Sequence, residues 1–253
     1  MKNLVKEKLK KGKVSIGSWI QLGNPTIAEI MAKSGFDWLA IDMEHSSICL
    51  HEIEPLIQII EANSVVPLVR LSSNDPILTK RIMDIGAYGI IVPMVNSREE
   101  AEKAVKSIKY SPEGTRGVGL YRAQDFGSSF EEYRNTANQE SLVIVQIEHK
   151  DGVDNIEEII EASGVDGVFI GPYDLSCSLG VSGQLEHPLV EKACQRVIQA
   201  VKKSGLALGI HVVSPSIEEV RQRQQEGYNF IAYSTDAIIL DRHCRDFIQK
   251  IKK

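Results

Sequence analysis

The sequence predicts a (β/α)8 barrel, and three observations carry that prediction. Eight short apolar runs recur along 253 residues, amphipathic helical stretches lie between them, and a helix-ending glycine stands before five of the runs. A glycine one position past a helix adopts the left-handed conformation that stops it. A run that is apolar at every position fits a strand covered on both faces. Eight such units without an antiparallel interruption favour a closed barrel over a doubly wound open sheet.

The elements follow in order. "VSIGSWIQ" from Val14 is the first strand, and "NPTIAEIMAKSG" is a helix with Asn24 as N-cap and Pro25 at its first position. The second strand lies in "SGFDWLAID" from Ser34, the third in "VVPLVRLS" from Val65. "NDPILTKRIMDIG" repeats the cap with Asp75 and Pro76, and the fourth strand follows in "IGAYGIIVP" from Ile85. "SREEAEKAVKSI" sets Ser97 three residues before Glu100, a capping-box spacing. The stretch from Gly114 to Glu140 is too long for a simple connection and should hold an extra loop and helix, a kind of insertion that is often functional. "LVIVQIEH" from Leu142 and "SGVDGVFIG" from Ser163 are the fifth and sixth strands. A helix with the stripe Val190, Ala193, Val197 and Val201 precedes the seventh strand, in "SGLALGIHVV" from Ser204. "EGYNFIAYS" from Glu226 holds the eighth, and the amphipathic "AIILDRHCRDFIQKIKK" closes the chain. One barrel domain is expected over residues 1–253.

Composition narrows the function. A formal net charge of -5 and a pI near 5.8 leave no basic surface for nucleic acid. No apolar run approaches the roughly 18 residues of a membrane span, and the first residues lack the long apolar segment of a secretory signal, so a cytoplasmic location is expected. Cys49, Cys177, Cys194 and Cys244 form no C-x-x-C pair and read as reduced thiols.

In such a barrel the active site lies at the C-terminal ends of the strands. Those ends carry Gln21, then Glu44 and His45, then Arg70, Pro93, Gln146 and Glu148, Gly171 with Asp174 beyond, His211, and finally Ser234 and Asp236. Glu148 and Asp174 are one βα unit apart, so they face one mouth, and two carboxylates there suit a hard divalent cation such as Mg²⁺ or Mn²⁺. The competing reading pairs Glu148 with Arg70 or Lys150 and makes Asp174 a helix cap. His45 is a candidate general base or a structural histidine. Arg70 could hold a carboxylate or stabilise an enolate, or pair with Glu44 or Glu148; the roles are compatible. Asp42 and Glu44 alternate onto one strand face as supporting groups. His149 and His211 read as satisfied mouth or surface residues. Glycine-rich phosphate turns are missing after the seventh and eighth strands, which argues against a phosphorylated substrate. Lys150 alone could form a Schiff base, and nothing beside it suggests the desolvation this would need.

The segments "GFDWLAIDMEH", "VVPLVRLSSNDP", "DIGAYGIIVPMV", "YSPEGTRGVG", "VQIE" and "GVDGVFIGPYDLSCSLG", followed by "HPLV", resemble the HpcH/HpaI family of class II pyruvate aldolases in content and order, over about residues 15 to 240. The resemblance implies a barrel of the phosphoenolpyruvate/pyruvate superfamily type. It implies an aldolase dependent on Mg²⁺, Mn²⁺ or Co²⁺. Such an enzyme cleaves a 4-hydroxy-2-oxo acid, such as a 2-keto-3-deoxy sugar acid or 2,4-dihydroxyhept-2-enedioate, reversibly to pyruvate and an aldehyde through a metal-stabilised enolate. By the same resemblance Glu148 and Asp174 bind the metal, Arg70 stabilises the enolate oxygen, and His45 is the acid/base through a water. Asp84 is the acidic partner of that histidine across a subunit interface. Gln146 lines the pyruvate site, and the backbone from Gly171 through Tyr173 to Asp174 cradles the carboxylate; Pro172 has no N–H to offer. A homohexamer built as a trimer of dimers with exchanged C-terminal helices is also implied. His149, Lys150, Gly152 and Tyr173 depart from the family pattern, which bears on the choice of aldehyde. Alternatives are an oxaloacetate decarboxylase or other enolate-forming lyase on the same barrel, and a non-catalytic barrel module.

Overall fold

The computed structural model describes residues 2–252. The strands are β1 (Ser15–Ile20), β2 (Trp38–Asp42), β3 (Val66–Arg70), β4 (Gly89–Val92), β5 (Leu142–Ile147), β6 (Gly167–Ile170), β7 (Ala207–Val212) and β8 (Phe230–Thr235). All pair in parallel and in chain order, and β8 returns to β1 to close the barrel. Around them run α1 (Leu4–Lys10), α2 (Pro25–Lys33), α3 (Leu50–Ala62), α4 (Pro76–Ile85) and α5 (Arg98–Ile108). Then come α6 (Phe130–Glu140), α7 (Lys150–Asp154), α8 (Ile156–Ile160), α9 (Pro172–Ser178), α10 (Pro188–Ser204), α11 (Ile217–Gln225) and α12 (Asp236–Ile251). The expected insertion is a loop, a 3-10 turn over Arg122–Gly127, and α6.

Local chemistry sets the helix ends. Asn24 accepts from Thr26 N–H at 2.8 Å, Asp75 from Ile77 N–H at 2.7 Å, and Ser97 from Glu100 N–H at 3.3 Å. The expected capping box at Ser97 is only half formed: the Glu100 carboxylate accepts from Asn96 N–H at 2.6 Å, one residue earlier. The glycines read as helix stops, Gly35, Gly86, Gly164, Gly205 and Gly227, have φ of 95°, 117°, 100°, 76° and 96°.

Two apolar layers hold the barrel. The inner layer fills its lumen: Trp38 stacks on Phe230 with ring centroids 4.3 Å apart, and Trp19 meets Phe169 edge-on at 5.6 Å. A Cβ on Gly17 would lie 2.0 Å from the Trp38 ring, so this position admits glycine alone. The outer layer, with Leu39, Ile41, Val69, Ile90, Val143, Val145, Val168 and Ile231, packs the strands' other face against the helices. The alternation explains the continuous apolar runs, because both faces are buried.

The first helix was not expected, since lysines dilute its apolar positions. It closes the barrel floor: Val5 and Leu9 join the inner layer, and buried Lys6 donates to Ser141 O at 2.5 Å and pairs with Asp166 at 3.0 Å. Among the described residues, no helix is long and apolar enough to cross a membrane.

Candidate active site

Period-two alternation assigns the mouth. Trp19 and Gln21, Ala40 and Asp42, Leu68 and Arg70, Ile144 and Gln146, Phe169 and Gly171, and Gly209 and His211 each share the lumen side of a strand. On β1, β2, β3, β5 and β7 the lumen column therefore gives way to a polar residue at the C-terminal end, and on β6 to Gly171.

Arg70 is the centre of this ring. Its Nε donates to Asp42 Oδ1 at 2.8 Å and its Nη2 to Asp42 Oδ2 at 2.6 Å, a two-point clamp. Its Nη1 lies 3.4 Å from Glu44 Oε2, and the guanidinium sits 4.3 Å from the Trp19 ring centroid. The principal partner is thus Asp42, not the expected Glu44 or Glu148, because Asp42 pairs directly with Arg70 in the β2–β3 register. Asp42 also accepts from Gln21 Nε2 at 3.0 Å and from the Glu44 and His45 amides at 3.1 and 3.2 Å. Burial pushes the Asp42 carboxyl up, but the Arg70 bonds and charge outweigh it and hold the group below the usual range.

Glu148 stands beyond β5. Its Oε1 accepts from Met94 N–H at 2.8 Å and its Oε2 from Gln146 Nε2 at 2.7 Å. No ion pair to Arg70 or Lys150 forms, so the structural-pair reading is corrected. Met94 adopts φ 53°, a strained conformation for this side chain that delivers its amide to Glu148. A Cβ on Gly171 would fall 2.7 Å from Glu148 Oε2, so the missing side chain is what admits the carboxylate. Asp174 is the third residue of α9 and Gly171 its N-cap, which corrects the reading of Asp174 as the cap.

Charge is out of balance here. Burial first, then the Glu148, Asp42 and Asp174 charges opposing the pull of Arg70, raise Glu44 to about 7. Burial and the Asp174 charge likewise raise Glu148, against the bonds from Met94 and Gln146. Asp42, Glu44, Glu148 and the exposed Asp174 thus crowd one guanidinium, while Asp236, buried beyond β8, accepts from the Gln21 and Leu22 amides at 2.9 and 3.0 Å. Glu44 Oε2 and Gln146 Oε1 are buried without a hydrogen-bond partner. Hard oxygen donors, excess negative charge and unpartnered buried oxygens together fit a divalent cation held by Glu148 and Asp174.

The remaining candidates sit further out. The His45 side chain is 61% exposed, with Glu44 Oε2 at 3.8 Å. Tyr173 is exposed on α9. Asp84 does not enter this mouth: it lies on α4, bonded to Arg116 Nη2 at 2.7 Å. His211 is satisfied, as expected, with Nε2 at 3.2 Å from Ser234 O; burial pushes its pKa down to about 4. Sequence reasoning missed Trp19 and Met94. Trp19 could have been found by its two-residue spacing from Gln21, whereas the Met94 backbone has no sequence signal.

Two other features differ in kind. A cavity of about 420 Å³ near the insertion is lined by Glu61, Tyr88, Arg122, Asp125, Phe126 and Tyr133, and Glu61 is bonded there by Arg122 and Tyr88. Cys49, His51 and Glu52 gather at the start of α3, where the thiol already bonds Glu52 at 3.1 Å.

Comparison with known proteins agrees with this picture. The HpcH/HpaI aldolase/citrate lyase family matches residues 15–241. The chain is 36% identical over 252 residues to 5-keto-4-deoxy-D-glucarate aldolase of Escherichia coli O6:H1, covering 99% of this chain and 97% of that one. The structure superposes with TM-score 0.94 on an HpcH/HpaI aldolase/citrate lyase family protein from Burkholderia cenocepacia at 37% identity, covering 99% of this chain and 100% of the other. An HpcH/HpaI aldolase from Desulfitobacterium hafniense gives 0.90 at 32% identity, with 98% and 96% covered. With the family match and these relatives spanning nearly the whole barrel, the chain belongs to the HpcH/HpaI aldolase/citrate lyase family.

Proposed function

We propose that the protein is a metal-dependent aldolase that cleaves a 4-hydroxy-2-oxo acid to pyruvate and an aldehyde, and runs in reverse. The observation that carries this reading is the mouth's charge: Asp42, Glu44, Glu148 and Asp174 around Arg70 alone. Glu148 and Asp174 would hold Mg²⁺, Mn²⁺ or Co²⁺, and such a cation supplies Lewis-acid polarisation of the ketone. Arg70, fixed by Asp42 and Trp19, points its remaining donor capacity at the oxygen that becomes negative when the C–C bond breaks. His45, exposed in the mouth, takes the proton from the C4 hydroxyl through a water. A proton then returns to the methylene carbon to give pyruvate. Gln146 and the amides of Tyr173 and Asp174 hold the pyruvyl carboxylate, with Gly171 keeping the backbone close to Glu148.

The 36% relative's name points to a keto-deoxy sugar acid as the substrate class, and Tyr173, His149 and Lys150 at the rim would meet the aldehyde portion. Asp84 serves His45 of a second copy in a hexamer arranged as a trimer of dimers. Exposed Leu240, Phe247, Ile248 and Ile251 on α12 supply an apolar face for helix exchange. A cytoplasmic location accords with this chemistry.

Pyruvate release from a panel of hydroxy-oxo acids, with and without chelator, tests the proposal. Loss on chelation and recovery with Mg²⁺ or Mn²⁺ is expected. Activity that survives chelation and is trapped by borohydride would point to Lys150 instead, and release of carbon dioxide without an aldehyde would point to the decarboxylase.

A further inference from the structure

Asp84 is the ninth residue of α4, the helix that leaves the mouth after β3. At 1.5 Å per residue it lies about 12 Å down that helix, toward the floor, away from its own His45. It is held there by an elaborate cradle. Arg116 Nη2 donates to Asp84 Oδ1 at 2.7 Å, and Gln124 Nε2 donates to the same oxygen at 3.3 Å. The Arg116 side chain is 0% exposed; its guanidinium packs 4.6 Å from the Tyr110 ring centroid and 5.5 Å from that of Tyr133, and Nη1 donates to Tyr133 Oη at 3.1 Å. Gln124 is held in turn by Tyr110 Oη at 3.1 Å and by Tyr121 N–H at 3.0 Å.

All of this grips one oxygen. Oδ2 has no hydrogen bond among the described residues, and a Cβ added to Gly119 would stand 3.1 Å from it. Ile77, Val118 and Leu120 nearby in sequence are 60–67% exposed, an apolar collar suited to another copy of the chain. His45 is the complement: an exposed imidazole whose acidic neighbour, Glu44, lies beyond hydrogen-bond distance at 3.8 Å.

We propose that Arg116 and Gln124 are positioning residues that hold Asp84 by Oδ1 and leave Oδ2 free for the His45 imidazole of a second copy, with Gly119 keeping that approach open. This rests on the reading of Asp84 given above. The insertion is then the part of each barrel that positions Asp84 of α4 for its neighbour's proton-transfer site.

The test is a set of kinetic cycles on the intact oligomer. Asp84→Asn should lower kcat by about 100-fold with little change in KM for pyruvate. Arg116→Gln and Gly119→Ala should each lower kcat by about ten-fold in the wild-type background and by less than two-fold beside Asp84→Asn, because they act through Asp84. Equal losses in both backgrounds, or none in either, would overturn the positioning role. If Arg116→Gln fails to fold, Gly119→Ala decides, since it leaves the buried pair in place. The underlying reading is judged separately: co-assembled His45→Gln and Asp84→Asn chains should recover activity. A fully active Asp84→Asn enzyme would defeat that reading, and not merely the cradle.

Discussion

The floor and the mouth of this barrel both bury charge, and they do so by opposite rules. At the floor charge is matched: buried Lys6 by Asp166 and a carbonyl, and half-buried Asp37 by Lys8 and the Ile16 amide. In the mouth Asp42, Glu44, Glu148 and the exposed Asp174 crowd one guanidinium, and burial together with those charges raises Glu44 to about 7. Balanced burial serves stability, because breaking such a pair strands a charge. Imbalance suits chemistry, because crowded carboxylates are what a bound cation would relieve.

The comparison can be broken at several points. The largest effect is expected at the pair proposed to hold the metal: Glu148→Gln or Asp174→Asn should cut kcat by about 10³-fold or more and weaken Mn²⁺ binding in a titration followed by electron spin resonance. Melting temperature in chelator should hold or rise, since one of the crowded negative charges is gone. At the floor the signature inverts. Lys6→Met leaves Asp166 stranded and should cost about 3 kcal/mol in denaturant unfolding, with Mn²⁺ affinity unchanged.

Two smaller effects depend on pH. Glu44 has a folded pKa near 7 against an ordinary 4.5, so between those values the native state holds the extra proton and stability falls as pH rises. Adding Mg²⁺ should therefore raise the melting temperature by several degrees more at pH 8 than at pH 5, and Glu44→Gln should flatten the metal-free pH profile. His211 works in the other direction. Its folded pKa is about 4 against 6.5, so the unfolded chain takes the proton and stability is lost as pH falls below 6.5. His211→Gln should remove about 1–2 kcal/mol of that acid sensitivity near pH 5, measured by urea unfolding.

Much of this was legible in the sequence. The helix-stop glycines and doubly buried runs located all eight strands, and position at the strand ends then put Arg70, Gln146 and Glu148 in the mouth, with Asp42 assigned by alternation. What could not be read is what depends on packing across the barrel. Arg70's choice of Asp42 comes from the β2–β3 register, and the seat of Glu148 from the Met94 backbone and the space at Gly171. The Asp84 cradle joins residues 32 and 40 positions apart through an insertion whose fold no periodicity specifies. The floor helix escaped notice because Lys6 reads as a surface residue until Asp166 is brought to it.

The charge imbalance of the mouth is best probed by counting cations. Equilibrium dialysis of the metal-free protein against Mn²⁺, run beside pyruvate-release assays on the same samples, should find one ion per chain that restores activity in proportion to occupancy. The ion should be lost in Glu148→Gln and retained in Lys6→Met. Full activity at zero occupancy, or an ion that stays bound with unchanged affinity in Glu148→Gln, would show that the carboxylates of the mouth do not hold a catalytic cation.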